Sequence, residues 1–346
     1  MNKYSVKGLP WQTFLKDVTE CKTSAEVAEK AGIDFGVDKC PLVAEMPLNI
    51  KSNIKDEESF IHNARIYRPC PNAYATYRTD VNFPLGIVKD KYEIVQNRDA
   101  FKFFDDAIGP DKAIWQTAGV LGHGERVVVT AKLPDDFIVK GDPCQSYLIF
   151  SNSHDGSCGV NILFAPIRVI CQNTLTAAIK QNDCYIRFRH TANVHSKILT
   201  AAEILASAHQ QQLTTAEMFN MMANTNWNDA MVERYIAKTI LTETEMANLD
   251  AIDEKKGIDR LFKREALIVE DAGISTRKLN VISTIHDYYF NGIGQREIIG
   301  TAWGAYNAIT GYFSNVSNKE GEQHFDSLIN GSANRTISKA LALAAA

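Results

Sequence analysis

Two turn signals divide the middle of this chain into hairpins, and they limit its fold more than any other feature. Gly122-His123-Gly124-Glu125 stands between two apolar runs, residues 113–121 and 126–133. His154-Asp155-Gly156-Ser157 stands between residues 147–152 and 159–164. Glycine takes a positive φ without a Cβ clash and Asp tolerates one, so such a turn folds a strand back onto its neighbour. Strands joined this tightly pair antiparallel, because a parallel pair needs a long crossover. Residues 74–79 and 84–88 read as further strands, and 167–171 extends or follows the strand ending at 164. The expectation is one antiparallel sheet over residues 73–185.

Helices frame that sheet. Asn97 opens a predicted helix over 97–108, with Phe101, Phe103 and Phe104 grouped on one side and Gly109 as its stop. Asn173 is read as the N-cap of a second helix over 174–180, with both helices on the same face. From Ser196 onward the pattern is helical, most clearly over 201–212, 215–223, 229–241, 243–249, 260–272, 298–313 and 336–344. Loops rich in glycine and asparagine interrupt it at 291–294 and 314–321. Towards the N-terminus, Thr23 and Ser24 start a short helix that Gly32 stops. Residues 40–46 suit an edge strand, and 51–63 are polar and charged, as in a flexible segment. The fold class is α+β: an antiparallel sheet with helices packed on one face, followed by a mainly helical C-terminal region. Three parts are expected: an N-terminal subdomain (1–70), an antiparallel α+β core (71–200) and a helical region (201–346).

The 346 residues are 45% hydrophobic and 23% charged, which suits a soluble globular protein with a large core. No apolar run approaches the roughly 20 residues that span a bilayer, and the first residues carry no apolar signal core. A cytoplasmic protein with no membrane partner is expected. Seven cysteines, at 21, 40, 70, 144, 158, 171 and 184, are scattered and form no Cys-x-x-Cys pair. Neither a disulfide framework nor a zinc site is expected, and most of the cysteines read as small buried apolar residues.

Charge is uneven. The whole chain carries 37 − 41 = −4, yet residues 156–202 hold Arg168, Lys180, Arg187, Arg189 and Lys197 against Asp183 alone, or 5 − 1 = +4. A basic patch on an acidic protein attracts a polyanion locally. In a strand, Arg187 and Arg189 share one face and Phe188 enters the core. Arg168, Arg187, Arg189, His190, Lys197 and His154 are therefore the expected nucleic-acid contacts, with the arginines in one groove and the two histidines at its rim. The bland account is a charged edge strand, a hairpin turn at 154–156, and a buried Cys171 beside a capping Asn173. Cys171 with His190 as a nucleophile pair, and His154, Asp155 and His190 as metal ligands, are weighed as minor readings. No catalytic residue, metal or cofactor is assigned, since no phosphate-binding glycine loop or thiol-protease signature is present. Trp303, Tyr306, Asn307 and Thr310 fall at helical spacing and read as core.

Several motifs occur in order: Leu85-Gly86-Ile-Val-x-x-x-Tyr92, Gly119-x-Leu121-x-x-Gly124-x-Arg126, Ser153-His154-Asp155-Gly156-Ser157, Arg168-Val-x-Cys171-Gln172-Asn173-Thr174-Leu175, Arg189-His190-Thr191 and Gly300-Thr-Ala-Trp303-Gly-Ala-x-Asn307-Ala. Together they resemble the phage/plasmid-like protein family over roughly residues 70–320. The resemblance implies a mobile element in a bacterial host cell and brings no assigned activity or site residue. With the basic window, it leads to the expectation of a single-stranded DNA binding or annealing protein that assembles into a ring or filament. The order of helices and hairpins is analogous at the level of fold to phage single-strand annealing proteins. The alternatives are a self-assembling phage structural or accessory protein without nucleic acid and, more weakly, a Cys/His-dependent hydrolase.

Overall fold

The structure is a computed structural model that describes residues 3–46, 60–62, 65–102, 105, 113–175, 185–191, 201–252 and 254–346. The chain opens with β1 (Lys16–Asp17) and α1 (Ser24–Ala31). Thr23 caps α1 by accepting from the Glu26 amide, and Gly32 closes it in the left-handed region at φ 71°. Four strands follow: β2 (Val37–Met46), β3 (Phe60–His62), β4 (Arg65–Arg78) and β5 (Phe83–Lys89). After α2 (Asn97–Lys102) come β6 (Ile114–Leu121), β7 (Arg126–Lys132), β8 (Phe137–Val139), β9 (Asp142–Ser153), β10 (Val160–Arg168), β11 (Asn173–Thr174) and β12 (Tyr185–Phe188).

Both expected hairpins are present, β6 with β7 and β9 with β10. The strands nevertheless form two antiparallel sheets, not one. The larger runs β1-β6-β7-β9-β10-β11, with β8 on β9 and β12 on β10. The smaller runs β2-β4-β3, with β5 on β4 and β2 at an edge. Residues 73–89 thus leave the expected sheet. They meet it face-on at the second hairpin, where the Thr76 hydroxyl donates to the His154 carbonyl at 2.6 Å. Gly86 makes the approach possible, because a Cβ there would stand 2.4 Å from the Asp155 Cα. The second correction concerns Asn173, which lies in β11 opposite Arg168, with Thr174 continuing the strand where the helix was expected to begin. Its amide nitrogen is held by the Asn307 carbonyl (3.3 Å) and the Thr310 hydroxyl (3.2 Å), and its oxygen accepts from Asn315 (2.9 Å). Residues 176–180 of that predicted helix, residues 103–104 and 106–108 of the first one, and 51–59 and 63 of the polar segment lie outside the described residues.

Period-two alternation fills both faces of the larger sheet. Val127, Val129, Phe150 and Phe164 pack with Val27 of α1 and Phe101 of α2. Val128, Ile149 and Ile167 face the other way, against Leu9, Trp11 and Leu15 and against Phe325 and Ile329 near the C-terminus.

The helical half comprises α3 (Ala201–Asn224), α4 (Asp229–Ile240), α5 (Glu243–Ala251), α6 (Glu254–Phe262), α7 (Ala266–Asp271), α8 (Thr276–Asn291), α9 (Ala302–Gly311), a π-helical turn (Tyr312–Val316), α10 (Gly321–Ile329) and α11 (Ser332–Ala344). The expected runs at 201–212 and 215–223 are one helix, α3. The run at 260–272 is broken by Arg264 at φ 60°. Helices α8 and α10 lie in the stretch expected to be helical but outside its clearest runs. Every residue of α9 is buried, so it forms the axis of this half. Among the described residues, no helix is long and apolar enough to cross a membrane.

Candidate functional site

Among the described residues, the basic stretch does not gather at one place, because β10 holds Arg168 and Arg189 towards opposite ends. Phe188 of β12 lies opposite Val160, the first residue of β10, and packs against the core as expected. His154 and His190 belong to that end. Arg168 is the last residue of β10, with Cys171 just beyond it. Eight residue steps along a strand separate the ends by about 26 Å.

Arg168 is 1% exposed, not groove-lining. Its Nε donates to the Asp142 carboxylate, one Nη to the Gly294 carbonyl at 2.7 Å, and the other faces the Cys171 sulfur at 3.8 Å. Register explains the burial: Arg168 stands between Cys144 of β9 and Asn173 of β11, so its side chain enters the junction with the helical half.

His154 is fully buried rather than at a rim. Its Nε2 lies 2.8 Å from the Asn97 oxygen and its backbone amide donates to Glu125 at 2.7 Å. Burial, reinforced by nearby His190, lowers its pKa to about 3. His190 is buried as well, stacked on Tyr92 at 4.6 Å with Nδ1 2.9 Å from the Glu93 carbonyl. Arg189 is exposed. The Arg187 backbone pairs with Asn161 in β12, while its side chain and all of Lys197 lie outside the described residues.

Cys171 and His190 therefore do not meet. The Cys171 thiol is pushed up by burial, with the Arg168 guanidinium opposing only in part. That is the reverse of what a nucleophilic thiol needs. Among the described residues, no three His, Cys, Asp or Glu side chains converge to hold a metal ion.

What the structure does assemble at the Arg168 end is a cavity of about 380 Å³, between the β8–β9 turn, the loop after β10, and the 294–301 segment. Lys140, Asp142, Arg168, Ile170, Glu297 and Thr301 give it its chemistry. The β8–β9 turn is a two-residue hairpin, with Lys140 at φ 48° and Gly141 at φ 88°. A lysine in the left-handed region is uncommon. Here its amide is held by the Asn220 side chain (2.9 Å) and its Nζ by the Ala223 carbonyl (3.1 Å). The Asp142 oxygen that takes Arg168 also accepts from the Trp303 indole at 3.3 Å. Beside the cavity, Thr174 donates its amide to Ser314 (3.1 Å), and Asn315 donates to the Cys171 carbonyl (3.0 Å). The motifs at 168–175 and 300–308, far apart in sequence, thus form one seam. Nothing local in either motif signals the other. Asp142 was missed because a lone Asp beside a Gly reads as a turn residue.

A family model described as a domain of unknown function (DUF932) matches residues 84–340. The chain belongs to the DUF932 family. The matched span takes in the seam, the cavity and both hairpins, and leaves β1, α1, β2, β3 and β4 of this DUF932 protein outside it. No curated protein and no solved structure matches the chain.

Proposed function

We propose that this DUF932 protein binds single-stranded DNA for a phage or plasmid, through the open four-stranded sheet and not through a groove at Arg168. The observation that carries the reading is the sheet's surface. In β2, β4 and β5, only Val37, Ile66, Thr76, Leu85 and Val88 are buried. These strands carry Lys39, Arg65, Arg68, Arg78 and Lys89 against Asp38 and Glu45, or 5 − 2 = +3. Tyr67, Tyr74 and Tyr77 are all partly exposed among them. Cations that track a backbone, interleaved with aromatic faces for bases, are what sequence-tolerant single-strand binding requires. Arg189 adjoins this surface, since the next residue's carbonyl accepts from the Glu93 amide (3.1 Å) just after β5. The mobile-element setting rests on the motif resemblance.

The test is fluorescence anisotropy with a labelled single strand at two salt concentrations. Binding that weakens steeply with salt is expected, because each phosphate contact releases counterions. The triple variant Arg65→Ala, Lys89→Ala, Arg189→Ala should weaken binding alike for all sequences and flatten the salt slope. No binding at low salt sinks the reading. It would favour self-assembly of a structural or accessory protein, for which the same sheet also exposes apolar carbon: Ile87 is 64% and Val43 39% accessible.

A further inference from the structure

We propose that a cavity between β7, α10 and the start of α11 binds a phosphate group, as the free ion or as the monoester of a small molecule. This inference goes beyond the single-strand reading and concerns a different surface.

The cavity measures about 380 Å³, and Arg126, Lys319, Asp326, Ser327 and Ser332 line it. Its formal charge is 2 − 1 = +1. The two basic groups are not equivalent. Arg126 is engaged by Asp326, its two Nη atoms reaching both carboxylate oxygens at 2.5 and 2.7 Å. Lys319 meets no carboxylate among the described residues. Its Nζ donates to the Ser327 hydroxyl at 2.7 Å and, more weakly, to that of Ser332 at 3.5 Å. The uncompensated positive charge of the cavity therefore sits on Lys319.

Ser327 is the decisive group. It is 6% exposed and lines the cavity. Its oxygen accepts from Lys319, so its own hydrogen points elsewhere, and no acceptor for that hydrogen is found among the described residues. A buried donor without an acceptor is costly, and the space it opens on is this cavity. Ser332, exposed at the first position of α11, likewise turns its oxygen to Lys319 and keeps its hydrogen for the cavity.

The backbone adds donors beside these hydroxyls. The first helical bond of α11 runs from the Arg335 amide to the Gly331 carbonyl at 3.2 Å. The amides of Ser332, Ala333 and Asn334 precede it, and Gly331 at the N-cap has no side chain to accept from them. Gly331 also lets α10 end against α11. A Cβ there would stand 2.8 Å from the Ser327 Cα and 2.9 Å from the Asp326 carbonyl oxygen.

Ammonium, hydroxyl and amide donors thus meet one space, in which the carboxylate has both oxygens taken. A ligand carboxylate offers two oxygens in one plane. A phosphate sets its oxygens tetrahedrally and suits donors that arrive from several elements. Bonds between charged partners are short and strong, and a helix start favours an anion. The volume lies in the range of small-molecule sites, about 300–1,000 Å³. It exceeds that of the ion several-fold and leaves room for the organic part of a monoester, with the exposed Gln323 and Asn330 at the rim.

The test is calorimetric titration of the full chain with inorganic phosphate, ribose 5-phosphate, ribose and acetate, at constant ionic strength and without DNA. The two phosphates should bind saturably at millimolar concentration or below. Ribose should not bind, and acetate should be at least about tenfold weaker, having lost part of the charged hydrogen bonding. Tighter binding of ribose 5-phosphate than of phosphate assigns the site to monoesters, and the reverse order assigns it to the free ion. Lys319→Gln, an exposed change, should weaken both by about tenfold or more. Ser327→Ala should weaken them several-fold, while Lys22→Gln, the same change of charge far from the cavity in sequence, should leave them unaltered. If Ser327→Ala unfolds the chain, Lys319→Gln decides alone. Absence of saturable heat with both phosphates overturns the proposal, as does acetate binding as tightly as phosphate. Binding that survives the cavity variants overturns it too, because the anion then sits elsewhere. Since no strand is present, failure here leaves the sheet reading standing, and failure of strand binding leaves this site standing.

Discussion

Asn97 accepts from the His154 ring across 2.8 Å while its own amide nitrogen donates to the Ile33 carbonyl at 2.9 Å. The second bond fixes the orientation of the first. With the amide nitrogen committed to a carbonyl, the oxygen must face the imidazole, so Nε2 carries the hydrogen and the neutral ring is the form that fits. His154 is thereby a locked structural group joining α2 to the second hairpin.

A pH dependence follows. Burial holds His154 near pKa 3 in the folded chain, against about 6.5 when unfolded. As pH falls, the unfolded chain takes up the proton first. The stability from this residue is complete above about pH 6.5 and is lost progressively towards pH 3, at about 1.4 kcal/mol per pH unit. His324, lowered to about 4 by burial and by Lys7, acts with the same sign. Urea midpoints should therefore fall between pH 7 and pH 5, and His154→Gln should show a shallower fall. A wild-type midpoint that stays level over that interval contradicts a neutral, buried His154.

Arg168 should behave as a partnered buried charge. Arg168→Met leaves the Asp142 carboxylate, itself largely buried, without its cation. The expected loss is about 3–5 kcal/mol in denaturant unfolding. Arg168→Met with Asp142→Leu should recover much of it, because no charge is then stranded. A single-variant loss under about 1 kcal/mol would mean that the pair is solvated. By contrast, the Arg126–Asp326 pair is partly exposed on both sides, and breaking it should cost no more than about 1 kcal/mol.

The hairpins were legible in the sequence because their signals are local: Gly122, Gly124 and Gly156 take the positive φ that the turns need. The helical half was legible in outline through periodicity. Asn173 misled because Asn before an apolar run is a cap signal, whereas its partners Asn307, Thr310 and Asn315 lie more than 130 positions away. The division into two sheets was hidden for the same reason, since alternation marks strands and not their neighbours. Counting charge found the basic stretch, but charge counted along a chain carries no burial. Arg168 is neutralised by Asp142 outside the window, and the open basic strands β2, β4 and β5 lie before it.

Gly86→Ala tests how the two sheets meet. The added Cβ would stand 2.4, 2.6 and 2.8 Å from Asp155 backbone atoms, and backbone cannot turn aside as a flexible side chain can. Overpacking of this kind costs about 1–3 kcal/mol or more. Thermal unfolding should show that loss, and amide exchange should rise first at Asp155 and Ser157. An alanine variant as stable as the wild type would show that the sheets are not in contact there.

The last prediction concerns thiol reactivity, which separates a structural Cys171 from a catalytic one. A reactive cysteine needs exposure and a stabilised thiolate. Cys171 has neither, since it is buried and burial raises its pKa against the partial help of Arg168. Cys144, its neighbour across the Arg168–Asp142 pair, is also raised, by burial and by Asp142. Cys40, on the edge strand β2, is exposed. Iodoacetamide on the native protein at mildly alkaline pH should therefore modify Cys40 and spare Cys144 and Cys171, as read by peptide mass mapping. In denaturant all three should react. Arg168→Met removes the one cation opposing the rise at Cys171, so any residual labelling there should slow further in whatever fraction stays folded. Native labelling of Cys171 faster than Cys40 would require a thiolate held at the seam, and would restore the hydrolase reading that its burial argues against.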